Sequence, residues 1–319
     1  MVFHITEAED GRILRSFLKE TLGISSHTLA NLKRRPDGIT LNGVTVTVRA
    51  VLHTGDVLAL AVEDDESNED VLPCPIPIKL LYEDEAIAVC QKPENMPTHP
   101  SHGHFEDTLA NALAYLYRDR PFIFRAITRL DRETSGAVLV AKDAISAQRL
   151  SLAMQEGRIR KCYFALTYGK TPSSGEVTFP IRRKEGSIIL REIHPEGAEA
   201  KTLYTRLYTD GSHSLLAVFP LTGRTHQIRL HLASLGHPIL GDCLYGREGD
   251  GFPRTMLHAA TLTFPHPTNG NTVSVFAPVS DDFREILSSL SFPLPTENDT
   301  FADEPHPTAL FDNVGERGE

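Results

Sequence analysis

Residues 126–142 read AITRLDRETSGAVLVAK, and the fold turns on what this run becomes. From Gly136 to Ala141 the residues are apolar without alternation, the pattern of a strand covered on both faces. FRAIT (124–128) reads as a second strand, and Thr134-Ser135-Gly136 supplies turn residues between the two. Asp131 therefore falls on a loop held by two strands, flanked by Arg129 and Arg132. Two readings of it stay open at this point. It is a turn aspartate satisfied by neighbouring amides, or a reactive carboxylate carried on a rigid support.

Outward from that run, strands and helices mix without regular alternation. AIAVCQKP (86–93), CYFALTYG (162–169), LLAVFPL (215–221) and TVSVFAP (272–278) read as strands. TLANALAYLYR (108–118), DAISAQRLSLAMQEG (143–157) and THQIRLHLASLG (225–236) read as helices. The mixed order predicts an α+β fold rather than a doubly wound sheet. Neither the GxGxxG nor the GxxxxGK[ST] phosphate fingerprint occurs, so no nucleotide cofactor is expected.

The first 62 residues form a separate pattern. RILRSFLKETLGI (12–24) places Ile13, Phe17 and Leu18 at helical spacing, with Leu14 and Leu22 widening the stripe and Gly23 as its stop. SSHTLANLKRR (25–35) gives a serine-capped second helix ending in Lys33, Arg34 and Arg35. These are either phosphate-binding side chains or a solvated helix end favoured by the macrodipole. Asn42-Gly43 then signals a hairpin between β-branched residues.

The chain carries 32 Lys and Arg against 42 Asp and Glu, a formal charge of -10. The excess is concentrated in two places. EDDESNED (63–70) holds six acids and no base, and residues 293–319 hold seven acids against Arg317, leaving 31 bases against 29 acids elsewhere. A nearly neutral body is compatible with a polyanionic partner. The acidic stretches also place the boundaries: a unit at 1–62, an acidic linker at 63–78, the main domain at 79–290 and a disordered acidic tail at 291–319. The start, MVFHITEAEDGR, has no basic or apolar leader, and no stretch is long and apolar enough for a transmembrane helix. A cytoplasmic protein is expected. Cys74, Cys90, Cys162 and Cys243 are scattered, which argues against a zinc knuckle or a disulfide framework.

Three further stretches carry chemistry. In RIRKCYFALTYG (158–169), alternation puts Cys162, Phe164, Leu166 and Tyr168 on one face and Lys161, Tyr163 and Ala165 on the other. Tyr163 thus points to the less apolar side, as a packed strand tyrosine or as a phenol able to exchange a proton or stack on a base. In LTGRTHQIRLHLASLGHPILGD (221–242), Thr225 is the expected cap of a helix with Ile228, Leu232 and Leu235 as its stripe. Arg229 lies beside that stripe and needs a partner. Asp131 is the candidate, because an arginine keeps a partly buried carboxylate ionised. Arg224 and His226 add donors at the helix start, where anions are favoured. HPSHGH (99–104) clusters three histidines, but on a Pro- and Gly-containing loop without ligand geometry, so no metal site is expected.

Taken together, RLDRETSG (129–136), KCYFAL (161–166) and LTGRTHQIRLHL (221–232), with LYEDEAIAVCQKPENMPTHP before them and GHPILGDCLYG and MLHAATLTFPHP after, resemble the pseudouridine synthases of the RluA class. The resemblance runs from about residue 79 to 277. Residues 11–62 resemble the small S-four-like RNA-binding domain often attached to that class, through LKRRPDGITLNGVTV and Gly55-Asp56. The resemblance implies a mixed, largely antiparallel sheet with a central catalytic cleft. It implies isomerisation of uridine within structured RNA, rRNA before tRNA, without cofactor or metal: the base is detached, turned and rejoined through carbon 5. A monomer is expected. Asp131 would be the catalytic carboxylate, Arg229 its arginine partner, Tyr163 the tyrosine on the flipped base, and Arg129 the arginine that fills the vacated stack. Thr128 departs from the family, which usually has histidine before RLD. Competing readings are an RNA-binding assembly protein without catalysis and a hydrolase pairing Asp131 with Glu133.

Overall fold

The computed structural model describes residues 1–300 other than Glu63, Asp65, Glu66, Glu69 and Glu248. By packing, the chain divides into two units: Met1–Arg160 with Leu262–Ala277, and Lys161–Thr261 with the described residues from Pro278 onward. Both combine helices with antiparallel strands, so the α+β expectation holds.

The first unit opens with β1 (Val2–His4), a strand too short to be read from sequence. The short helix α1 (Leu14–Ser16) runs into a π turn over Phe17–Thr21, closed by the Leu22 amide donating to Phe17 O at 3.0 Å. Leu14, Phe17, Leu18 and Leu22 are buried as expected, but Ile13 is 51% exposed. Ile13 is the extended residue before the helix (φ -71, ψ 131), so the buried stripe starts one residue later. Ser25 caps α2 (Ser26–Arg34) by accepting the Thr28 amide, as predicted. Strands β2 (Ile39–Leu41), β3 (Val44–Thr45) and β4 (Val57–Leu60) complete a sheet of order β1-β4-β2-β3. Asn42 and Gly43 take φ of 52 and 79, the left-handed pair that a tight hairpin needs. Asn42 also donates to Asp56 at 2.7 Å, joining the two ends of the NG and GD motifs.

The rest of the unit is built on β5 (Lys79–Glu83), β6 (Ile87–Lys92), β7 (Arg125–Ala126) and β8 (Ser135–Ala141). β8 pairs antiparallel with β6, Val138 opposite Cys90, and every residue of β8 is buried. Its odd-numbered residues, Ala137, Leu139 and Ala141, pack with Leu150 and Ala153 of α4 (Ala144–Gln155) and with Leu262, Phe264 and Val275. Asp143 caps α4 by accepting the amides of Ile145 and Ser146. A capping box between Thr108 and Asn111 starts α3 (Leu109–Leu116). Ile145 of α4 belongs to the same apolar cluster as Leu14, Leu18 and Leu29, and Gln148 bonds the Gly23 carbonyl and accepts the Ser25 amide.

The second unit contains β9 (Arg160–Tyr168), β10 (Ser174–Val177), β11 (Ile181–Arg183), β12 (Arg191–Ile193), β13 (Thr202–Thr209) and β14 (His213–Pro220). The order β10-β13-β14-β9 is antiparallel throughout, while β11 and β12 form a separate ribbon. After β14 come α5 (Gln227–Ser234) and β15 (Leu257–Pro265), whose last residues pair with β16 (Thr272–Phe276) in the first unit. The buried Arg254 anchors α6 (Asp281–Ser289) through Asp282 at 2.6 Å.

The tail expected from residue 291 is packed over its first ten residues: Phe292 is buried edge-on to Tyr208 at 4.7 Å, and Thr300 is buried. The remainder of that expectation, 301–319, lies outside the described residues. Among the described residues no helix is long and apolar enough to cross a membrane.

Candidate active site

Asp131 sits in a loop whose two flanking carbonyls are held from below. Thr98 donates its hydroxyl to Leu130 O at 3.0 Å and accepts the Leu130 amide at 3.2 Å. Lys92, fully buried at the end of β6, donates its ammonium to Arg132 O at 3.1 Å, Met96 O at 2.6 Å and Pro93 O at 2.8 Å. A buried ammonium is tolerated only with such acceptors around it. The loop itself closes through the Thr134 amide on Asp131 O at 3.1 Å, so the turn lies at Arg132-Glu133. The sequence reading had placed it at 134–136. Ser135 and Gly136 instead belong to β8, because Gly136 pairs with Lys92 of β6. Asp131 is half-buried, and Arg129 and Arg132 are exposed.

The strand before the loop is tied down as well. Ile127 N–H donates to Leu139 O at 2.8 Å, and buried Thr128 accepts the Leu139 amide on its hydroxyl at 2.9 Å. Arg125 is gripped by Asp64, with N–O distances of 2.8 and 2.6 Å, and the amides of Phe122 and Phe124 donate to Ser67 and Asn68. Asp64, Ser67 and Asn68 of the acidic linker therefore strap residues 122–125. His99, edge-on to Phe124 at 5.1 Å, has its pKa lowered by burial and by the nearby Arg129 charge.

In the second unit, Tyr163 lies on β9 opposite Val218, half-buried. Its neighbour Cys162 points the other way, into a cluster with Leu203, Ala217 and Phe219, as the alternation predicted. Burial lowers the pKa of Lys161 beside it. Thr225 does not cap α5. The cap residue is His226, in the left-handed region (φ 57, ψ 19), and makes no side-chain cap bond. The turn is organised instead by Gln227, whose Oε1 accepts the Thr222 hydroxyl at 2.7 Å and the Arg224 amide at 3.0 Å. Arg224 is exposed and its Nε donates to Glu199 O. Of the expected stripe, Ile228 and Leu232 are buried and Leu235 is 37% exposed.

Arg229 is buried, and its Nε and Nη2 donate to Asp242 at 2.8 and 2.7 Å. Burial alone would raise the Asp242 pKa, but the Arg229 hydrogen bonds and charge, with the Tyr245 and Leu244 amides, hold it below the ordinary carboxylate value. The turn that presents Asp242 requires Gly241. At φ +73, a Cβ there would lie 1.9 Å from Arg254 O. Asp242, Tyr245 and Lys92 had no assigned role in the sequence reading. Their signal was present in GDCLYG and in a lysine closing an apolar strand.

Lys33 and Arg34 close α2, and Arg35 donates to Ala61 O at 2.8 Å. With Arg49 and Thr47 they line an open cleft of about 680 Å³ in the first unit, so the three basic residues singled out from sequence share one concave surface with a fourth.

The chain is similar to known proteins. A family model described as RNA pseudouridylate synthase matches residues 86–234. An uncharacterised RNA pseudouridine synthase of Bacillus subtilis (strain 168) is 35% identical over 269 residues, covering 83% of this chain and 95% of that protein. The ribosomal large subunit pseudouridine synthase D of Haemophilus ducreyi (strain 35000HP / ATCC 700724) is 34% identical, covering 80% and 83%. Among solved structures, human RNA pseudouridylate synthase domain containing 4 superposes with a TM-score of 0.55 at 25% identity, covering 68% of this chain and 94% of that one. On this similarity, the chain belongs to the RNA pseudouridine synthase family.

Proposed function

We propose that this protein isomerises a uridine in ribosomal large subunit RNA, in the cytoplasm, as a monomer without cofactor or metal, with Asp131 as the catalytic carboxylate. The observation that carries the reading is the Asp131 loop: the carbonyls on either side of the carboxylate are fixed by Thr98 and by a buried lysine, which is the rigidity that a reacting group requires. A solvated turn aspartate needs no such support. The target uridine is taken out of the stack to reach that carboxylate, which costs a few kcal/mol. Exposed Arg129, with its planar guanidinium, stacks in the vacancy and recovers part of that cost. Tyr163 meets the flipped base with its ring and assists proton transfer through its phenol, and Arg229 takes the part of the arginine partner of the catalytic carboxylate. Arg224, His226 and the basic cleft at Lys33, Arg34 and Arg35 bind the surrounding RNA backbone. The preference for ribosomal RNA rests on what the named relatives act on.

The test uses transcripts carrying tritium at uridine carbon 5, because rejoining the base through that carbon displaces its hydrogen. Wild-type protein is expected to release tritium from large-subunit rRNA transcripts and not from tRNA transcripts, and Asp131→Ala to release none. No release from any RNA would sink the enzyme reading. Equal release by Asp131→Ala would sink the role of Asp131, and release from tRNA alone would sink the choice of substrate.

A further inference from the structure

Tyr245 joins three parts of the second unit. Its hydroxyl oxygen accepts the Arg191 amide N–H at 2.8 Å, at the start of β12, and lies 2.9 Å from His226 Nδ1. Its ring lies 5.5 Å from the Arg229 guanidinium carbon and 5.6 Å from the His226 ring, at 69° to it. A phenol has one proton to give and two lone pairs to accept with. The Arg191 amide can only donate, which commits one lone pair and leaves two arrangements toward His226. In the first, the phenol donates to Nδ1, which then carries no proton. In the second, Nδ1–H donates to the phenol oxygen, and the phenol proton finds no acceptor among the described residues. Only the first uses the phenol's proton. Burial, the largest influence, pushes the Tyr245 pKa above its ordinary value, so that proton is present at neutral pH.

The backbone of His226 points the same way. A non-glycine residue with φ of 57 is strained, and such strain persists where the surroundings fix the residue in place. Here the imidazole is fixed by the phenol of Tyr245, and the phenol by the ribbon.

We propose that Tyr245 is a positioning residue for RNA binding. It holds His226 as the neutral Nε2–H tautomer, so that the imidazole offers a directed hydrogen-bond donor to an acceptor oxygen of the RNA backbone. The role in RNA binding rests on the reading of His226 as an RNA contact. The hold on the tautomer does not, which allows the two to fail separately.

Two measurements on the full chain test this. In nitrogen-15 histidine spectra recorded without RNA, with the His226 signals identified by their loss in His226→Gln, Nδ1 should appear unprotonated and Nε2 protonated. Tyr245→Phe keeps the ring beneath Arg229 and removes only the hydroxyl, and it should give a mixture of tautomers. In tritium-release kinetics, Tyr245→Phe should raise KM for the RNA about fivefold, with kcat within about twofold of wild type. His226→Gln, whose amide nitrogen falls near the place of Nε2, should bind RNA better than His226→Asn, although asparagine is the residue better suited to a left-handed backbone. A protonated Nδ1 in the wild type would overturn the proposal, as would a Tyr245→Phe spectrum unchanged from it. A kcat loss without a KM change would overturn the binding role. The tautomer found as expected, with His226→Gln and Tyr245→Phe both binding RNA as wild type does, would refute the RNA contact while leaving the hold of Tyr245 on His226 standing.

Discussion

Thr128 stands where the resembled enzymes usually carry histidine, and its hydroxyl closes the β7–β8 ladder at the point where the chain runs on from β7 into the Asp131 loop. Thr128→Val deprives the buried Leu139 amide of its acceptor and should destabilise the protein by about 1–3 kcal/mol, whereas Thr128→Ser should restore most of the loss. Urea midpoints of the three proteins decide the matter, and a valine variant as stable as wild type would refute it. From the sequence Thr128 was visible only as a departure, because its partner lies eleven residues away across a strand pair. Lys92 was hidden for a similar reason. A lysine ending an apolar run reads as a solvated strand end, and only the three carbonyls converging on it show why it is buried. The loop carrying Asp131 was legible from its flanking arginines and the buried strand after it, although its turn lies at Arg132-Glu133 and not at 134–136, and local features alone left the part played by the carboxylate open.

At the scale of the element, α5 is more polar inside than its pattern suggests. His231 is fully buried, and its Nε2 must donate to Phe179 O, since a carbonyl can only accept. Its Nδ1 then accepts from the Thr202 hydroxyl, which in turn accepts from Gln227 Nε2. Burial lowers the pKa of His231. The unfolded chain therefore takes up this proton first as pH falls. The stability contributed by neutral His231 is present above about pH 6.5 and is lost as pH drops toward the folded value. Between about pH 7.5 and 5.5 the wild-type urea midpoint should fall, and His231→Gln should fall less over the same range. A residual slope is expected from His99, whose shift has the same sign. Identical slopes would contradict the assignment. The extent of α5 was legible from its apolar spacing. Its cap was not, because His226 holds that position by a left-handed backbone and makes no side-chain cap bond, whereas the pattern pointed to the hydroxyl of Thr225.

At the scale of the whole molecule, the boundary drawn at residue 62 followed composition, and packing adds a tie across it. Ile145 of α4 shares a core with the leucines of the first 62 residues, and Gln148 bonds Gly23 and Ser25. Removing residues 1–62 uncovers that face, so the shortened chain should fold but melt a few degrees lower. Gln148→Ala in the full chain should lose about 1–2 kcal/mol, because the partly buried Ser25 amide is left without its acceptor. Calorimetry on the three proteins checks this, and a shortened chain melting with the full one would mean that the tie is idle. No local pattern could have revealed it, nor the grip of Asp64 on Arg125, because each joins residues far apart in the chain.

Cys243 follows Asp242 directly and is the exposed thiol of the four. Cys90 and Cys162 are buried, with the Cys90 pKa pushed up to about 12 by burial, and that of Cys74 is raised by burial and by Glu106. A thiol-directed fluorophore added to the unaltered protein should therefore mark the residue beside the acid that holds Arg229. The molecule comes with its own reporter for changes around that buried ion pair, and no engineered cysteine is needed to read it.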